Sequence, residues 1–177
     1  MILQCLVKPG TALVMEYSHV THESLKPFIH PDSKILILGS LPSIATRKAN
    51  FYYAHKTNRF YKILAGVFGE EEPISTEERR MFLKKHHIAL YDSIYECDIR
   101  ASSDSSIRNV VSTKDEIAKI KKEHDIRAVF TTGKASHDVY RKYIGDDDIL
   151  LPSPSAANAA CSLEMLIGSY KIILSFL

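Results

Sequence analysis

The run Ile35-Leu-Ile-Leu38, followed at once by Gly39-Ser40, constrains the fold of this chain most. A short continuous apolar run reads as a strand buried on both faces, the habit of parallel sheets. Ile88 to Tyr91, Arg127 to Thr132 and Ile149 to Leu151 are further strand candidates. Helical segments lie between them. Phe60, Ile63, Leu64, Val67 and Phe68 share one face, with Gly69 as a stop. Thr76 opens a segment that is acidic at its start and basic at Lys84-Lys-His-His87. Thr113 precedes Lys114 to His124 with Glu116 in the capping-box position, Gly133-Lys134 opens a helix to about Ile144, and Ser162 to Phe176 is almost wholly apolar. Strands alternating with helices imply right-handed βαβ units, and so a three-layer α/β/α class around a parallel sheet.

A length of 177 residues fits one domain with a single core. We draw the domain over 31–177 and treat 1–30 as an N-terminal extension or arm. Cys5, Cys97 and Cys161 are too few and too scattered for a zinc site or a disulfide framework, so reduced thiols are expected. Asp146-Asp-Asp148 lacks the alternating ligands of a calcium loop and reads as a polar turn. The apolar pieces near the start are interrupted by Lys8, Pro9 and Gly10, which supports neither secretion nor membrane insertion. The expectation is a cytoplasmic monomer without metal or cofactor.

The segment Phe51-Tyr-Tyr-Ala-His-Lys-Thr-Asn-Arg-Phe60 crowds aromatics, an amide and cations into one loop near a strand's carboxyl end, where open α/β sheets hold their ligands. Between Ser33 and Gly69 the cations are Lys34, Arg47, Lys48, Lys56, Arg59 and Lys62, with no Asp or Glu, although the net charge of the chain is only +2. Such a patch attracts a phosphate backbone, and aromatic stacking adds roughly 1–3 kcal/mol per base. A solvated loop that merely lacks acids explains the charges alone equally well. Asp92 to Arg108 reads as a long Ser-rich loop that includes Asp104. No GxGxxG, P-loop or GxSxG pattern is present, which argues against nucleotide triphosphate and serine hydrolase chemistry.

Gly39-Ser-Leu-Pro-Ser43, Tyr52 to Tyr61, and Leu151-Pro-Ser-Pro-Ser155 with Asn158 together resemble the ordered motifs of the uracil-DNA glycosylase superfamily. Tyr91-Asp92 and Ser102 to Ile107 add a resemblance to its hypoxanthine-DNA glycosylase branch. The resemblance implies a four-stranded parallel sheet flanked by helices and a monofunctional, metal-free hydrolysis of a deaminated base, hypoxanthine or uracil, from DNA. By matching position, Tyr53 stacks on the flipped base, and the backbone of Ser40 and Leu41 borders base and water. Asn58 supplies a polar contact to either one. Gly39, His55 and Ser153 join the base pocket, while Pro42, Ser43, Lys56, Arg59, Pro154, Ser155 and Asn158 face DNA. The chain departs from its relatives at Leu41, where uracil enzymes carry a water-activating Asn or Asp, and at Ser153, where many place a His.

Four alternatives stay open at this stage. Asn58 also has a lesser alternative as the cap of the helix that follows it, and His55 serves structure alone as readily as it touches phosphate or shapes the pocket. The chain as a whole suits either a catalytically weak or inactive DNA-binding member of the fold or a small-molecule hydrolase.

Overall fold

A computed structural model describes residues 16–23, 25–100 and 106–177. Four strands, β2 (Ile35–Gly39), β3 (Ile88–Asp92), β6 (Ala128–Thr132) and β7 (Asp148–Leu151), form a parallel sheet in the order β3-β2-β6-β7. Every residue of β2 and β3 is buried, as their unbroken apolar runs demand. The register pairs Gly39 with Asp92 and Thr132 with Leu151, so all carboxyl ends open on one side.

Helices α1 (Ile44–Ala49), α2 (Phe60–Phe68), α3 (Thr76–Lys85), α4 (Lys114–Glu123), α5 (Lys134–Tyr143) and α6 (Leu163–Tyr170) flank this sheet in a three-layer α/β/α arrangement. Their ends follow local chemistry. Gly69 closes α2 at φ +68, a conformation glycine adopts freely. Ser75 and Glu78 build a capping box at α3. Thr113, expected to cap α4, instead donates its hydroxyl to the carbonyl of Asp92 at 2.7 Å. The expected last helix changes character midway, passing into a tighter 3-10 turn over Lys171–Phe176.

The stretch read as a loop from Asp92 to Arg108 is largely strand. β4 (Ile94–Ile99) and β5 (Arg108–Ser112) pair antiparallel, and β1 (Ser18–Thr21) adds to the other side of β4, giving a second sheet in the order β1-β4-β5. Register shifts between Ile94 and Glu96, and again before Asp98, break the alternation that marks a strand in sequence. Residues 101–105, with Asp104, and residues 1–15 lie outside the described residues.

The extension drawn over 1–30 is therefore not a separate arm along its described part. β1 belongs to the second sheet, Leu25 is in the main core, and Phe28 packs on that core and bridges to Leu90. Among the described residues no helix is long and apolar enough to cross a membrane.

Candidate active site

The carboxyl ends of the parallel strands and the loops that leave them enclose a cleft of about 660 Å³. Its walls come from Gly39, Ser40, Leu41, Pro42 and Ser43 after β2, from Tyr53, His55 and Asn58, and from Ser153, Pro154 and Ser155 after β7. The loops after the first and last strands of the parallel sheet thus meet, although well over a hundred residues separate them. Asp92, Thr132, Tyr52, Thr46, Thr57, Ala156 and Ala157 complete the lining.

Tyr53 is held as a rigid plate. Its ring stacks on Phe60 with centroids 3.8 Å apart and planes 13° from parallel, and its backbone is left-handed at φ +52, a strained state for a tyrosine. Thr132 gives its hydroxyl proton to the Leu38 carbonyl, so the Tyr53 hydroxyl must be the donor in its 3.0 Å contact with Thr132 Oγ1. Burial, and then the charge of Asp92, push the Tyr53 phenol far above its usual range and keep it a donor. Phe60 occupies one ring face, while Tyr53 itself forms part of the cleft wall.

Asn58 combines two functions that the sequence set against each other. Its Oδ1 accepts from the Phe60 N–H at 2.9 Å, the first N–H of α2, from the position just before the N-cap residue Arg59, and the residue also lines the cleft. Its Nδ2 has no protein partner among the described residues and remains a donor. His55 is exposed, and its Nδ1 accepts from the Thr57 N–H at 3.3 Å, which puts the proton of a neutral ring on Nε2.

Several expected DNA contacts are placed differently. Arg59 is not free for phosphate, because its guanidinium donates to the carbonyls of Cys161 at 2.7 Å and of Ser155 and Asn158 at 2.9 Å. The backbone N–H of Arg59 adds the Pro154 carbonyl at 3.0 Å. A planar fork of fixed donors suits several carbonyls at once, and here it buckles the 153–161 loop to the start of α2. Asn158 is held within that loop, with Nδ2 donating to the Ser153 carbonyl at 3.0 Å, and it does not line the cleft. Ser43 caps α1 through its Oγ. Lys34 precedes β2 at the opposite end of the sheet and pairs with Asp125, and Lys62 pairs with Glu72. Arg47 gives a guanidinium N–H to the Pro42 carbonyl. Lys48 and Lys56 are exposed and make no ion pair among the described residues, and they share the positive field with Arg47 and Arg59, whose guanidinium partners are uncharged carbonyls. Leu41 packs against the second core cluster, and its apolar side chain has no group that could hold a water.

Sequence reading noted Asp92 only as part of a motif and gave it no role. It ends β3 beside Gly39, and a Cβ added to Gly39 would stand 2.3 Å from Asp92 Oδ1 and 3.5 Å from the Tyr53 hydroxyl. Glycine at position 39 is what lets a carboxylate reach the cleft floor. Asp92 Oδ2 meets His22 Nε2 at 2.8 Å, and this buried histidine was not anticipated at all. The available signal was positional: Tyr91-Asp92 ends a strand next to the one that ends in Gly39. Behind the floor, the Ser136 hydroxyl contacts the Gly39 and Leu38 carbonyls and Ser93 Oγ, so the strand ends are fixed by buried hydrogen bonds. No group of three or more metal-ligating side chains occurs among the described residues.

The sequence profile of the Uracil DNA glycosylase superfamily matches residues 26–166. Two proteins named hypoxanthine DNA glycosylase are similar to the chain. That of Methanosarcina barkeri (strain Fusaro / DSM 804) is 28% identical over 139 residues, covering 77% of this chain and 87% of the relative. That of Methanosarcina acetivorans is 27% identical over 136 residues, covering 72% and 82%. The solution NMR structure of a Methanosarcina acetivorans protein, provisionally described as a uracil DNA glycosylase, superposes with a TM-score of 0.66 at 23% identity over 85% of this chain and 96% of that one. With the profile spanning most of the parallel sheet and its cleft, the chain belongs to the uracil DNA glycosylase superfamily and is a hydrolase of N-glycosyl bonds in DNA.

Proposed function

We propose that the cleft receives a single deaminated base flipped from DNA, hypoxanthine foremost and uracil second, and that the chain hydrolyses its N-glycosyl bond to leave an abasic site. The observation that carries this reading is the convergence of the Tyr53 plate, the Asn58 amide and the Asp92 carboxylate on one cleft. Removing a base from the duplex exposes its faces and its Watson–Crick edge, and these three groups match those surfaces: an aromatic plane, a donor and an acceptor.

In the reaction the bond from C1′ to the base nitrogen breaks with its electron pair on the base. A water oxygen bonds to C1′, and the proton it releases passes through solvent to the departing base anion. Positive charge builds on the sugar and negative charge on the leaving base, so a donor aimed at the base lowers the barrier. Asn58 Nδ2 serves as that donor. The polar backbone after Gly39, at Ser40 and Leu41, borders the reacting bond, and Asp92 Oδ1 accepts the ring N–H that hypoxanthine and uracil carry next to a carbonyl. Lys56 and Lys48 draw in the phosphates. Ser155 and Pro154 face the DNA from the loop buckled by Arg59, and with Ala156 and Ala157 they form a low wedge at the minor groove.

Leu41 and Ser153, which replace the water-activating and carbonyl-contacting groups of uracil enzymes, favour a second reading: a DNA-binding member of the fold with weak or lost catalysis. One experiment separates the two. Oligonucleotides bearing hypoxanthine, uracil or xanthine opposite each normal base are incubated with the protein and then cleaved with alkali. Strand breaks at hypoxanthine support the first reading, and tight binding without breaks at any of the three bases supports the second.

A further inference from the structure

We propose that His22 is a positioning residue that makes the base-facing acceptor electrically neutral, an inference that rests on the base-removal reading above. The hydrogen bonds fix the protons. His22 Nδ1 lies 2.7 Å from the Leu25 carbonyl, which can only accept, so Nδ1 carries a hydrogen. His22 Nε2 and Asp92 Oδ2 are 2.8 Å apart, and that contact needs one further proton between them. Whichever atom holds it, the pair is either imidazolium with carboxylate or imidazole with carboxylic acid. Its net charge is zero in both forms. In both forms Asp92 Oδ1 bears no hydrogen and stays an acceptor in the cleft.

Neutrality matters for this reaction because the departing base gains negative charge. A lone carboxylate against it would oppose bond cleavage, with little water to screen the repulsion: the His22 side chain is fully buried and that of Asp92 nearly so. Capping the carboxylate from behind keeps its selectivity for a ring N–H and removes that opposition. Adenine, with a lone pair at N1 where hypoxanthine has a hydrogen, is still rejected.

The local structure is built to hold His22 in this position. Its N–H donates to the Tyr95 carbonyl at 2.7 Å, and its own carbonyl accepts from the Leu25 N–H at 3.0 Å. The ring packs edge-on to Tyr91 at 4.7 Å, and Thr113 holds the backbone of Asp92. The pair thus ties β1's end to the cleft floor across 70 residues of sequence.

The test is a double-mutant cycle on single-turnover excision of hypoxanthine, with the affinity for a non-cleavable oligonucleotide and the thermal midpoint measured in parallel. H22Q keeps a donor to Oδ2 but uncovers the charge, so its rate is expected to fall on the order of 10²-fold with affinity nearly unchanged. Adding D92N removes that charge, and H22Q/D92N is expected to recover at least about tenfold over H22Q. A double variant no faster than H22Q overturns the proposal, as does an H22Q variant that excises at the wild-type rate. If H22Q does not fold, D92N and D92A decide. Neutral His22 accepts from the introduced amide, so D92N is expected to stay within about tenfold of wild type while D92A loses far more. Equal losses in the two overturn it. A wild-type protein that excises no base from any oligonucleotide would refute the functional reading instead, an outcome distinct from both of these.

Discussion

Gly39 is the tightest point of the cleft. A methyl group there meets the Asp92 carboxylate at 2.3 Å, so G39A forces either Asp92 or the end of β2 to move. Overpacking of this kind costs roughly 1–3 kcal/mol, and a displaced Oδ1 should also abolish base discrimination. Thermal unfolding together with excision assays on hypoxanthine and adenine measures both effects; full activity in G39A would contradict the crowding. Asn58 allows a cleaner separation, because its two amide atoms have different tasks. N58D keeps an oxygen for the Phe60 N–H and loses the Nδ2 donor, whereas N58A loses both. Excision is expected to fall at least about 10²-fold in both variants. Only N58A should lose the stability of that hydrogen bond, about 1 kcal/mol. Equal stability losses would show that the oxygen contributes nothing.

Among the elements, the buckle between α2 and the 153–161 loop ties binding to folding. R59A frees three carbonyls that the guanidinium satisfies, so amide hydrogen exchange should accelerate across 153–161 while β2 and β3 stay protected. R59K should not rescue it, since a point charge on a flexible stem cannot span the same carbonyls. The buckle also shows where sequence reading ends. α2 was legible because its apolar residues repeat at helical spacing, and β2 and β3 because unbroken apolar runs have few alternatives. β4 was not, since its bulges disrupt alternation, and β1 is four residues with two exposed, too short to leave a pattern. In the cleft, Tyr53 and Asn58 were legible as types suited to a base. Arg59 was misread because an arginine beside an aromatic loop looks the same whether its fork meets phosphates or carbonyls. His22 was invisible because its partner is far away in the chain.

For the molecule as a whole, the titrating groups set a direction for stability against pH. Asp98 is held below the usual carboxylate range by the Asn109 amide and His19, and Asp125 by Lys34. Glu78 is lowered by the N–H groups of Ser75 and Ile74. These groups bind protons less readily folded than unfolded, so the stability they add is complete above the ordinary carboxylate range and lost as pH falls through their folded values. His86 is pushed down by burial, against the opposing charge of Glu70, and it acts in the same direction at higher pH because the unfolded chain protonates first. The thermal midpoint should therefore be level between about pH 7 and about pH 9, decline gently below about pH 6 and drop more steeply below about pH 4, and fall again above about pH 10, where the unfolded chain ionises phenols that burial keeps neutral in the fold. A midpoint that rises on acidification below about pH 7 would contradict this.

The placement of β1 and the turn after it has a practical consequence at the same scale. A protein trimmed to begin at residue 31 would keep all four parallel strands and every loop that borders the cleft, and so look complete on paper. Yet it would have shed the imidazole beneath its floor and one side of its smaller sheet. Trimming to residue 16 spares both. Comparing the two shortened proteins for solubility and turnover would show whether the amino-terminal stretch is packaging or part of the tool.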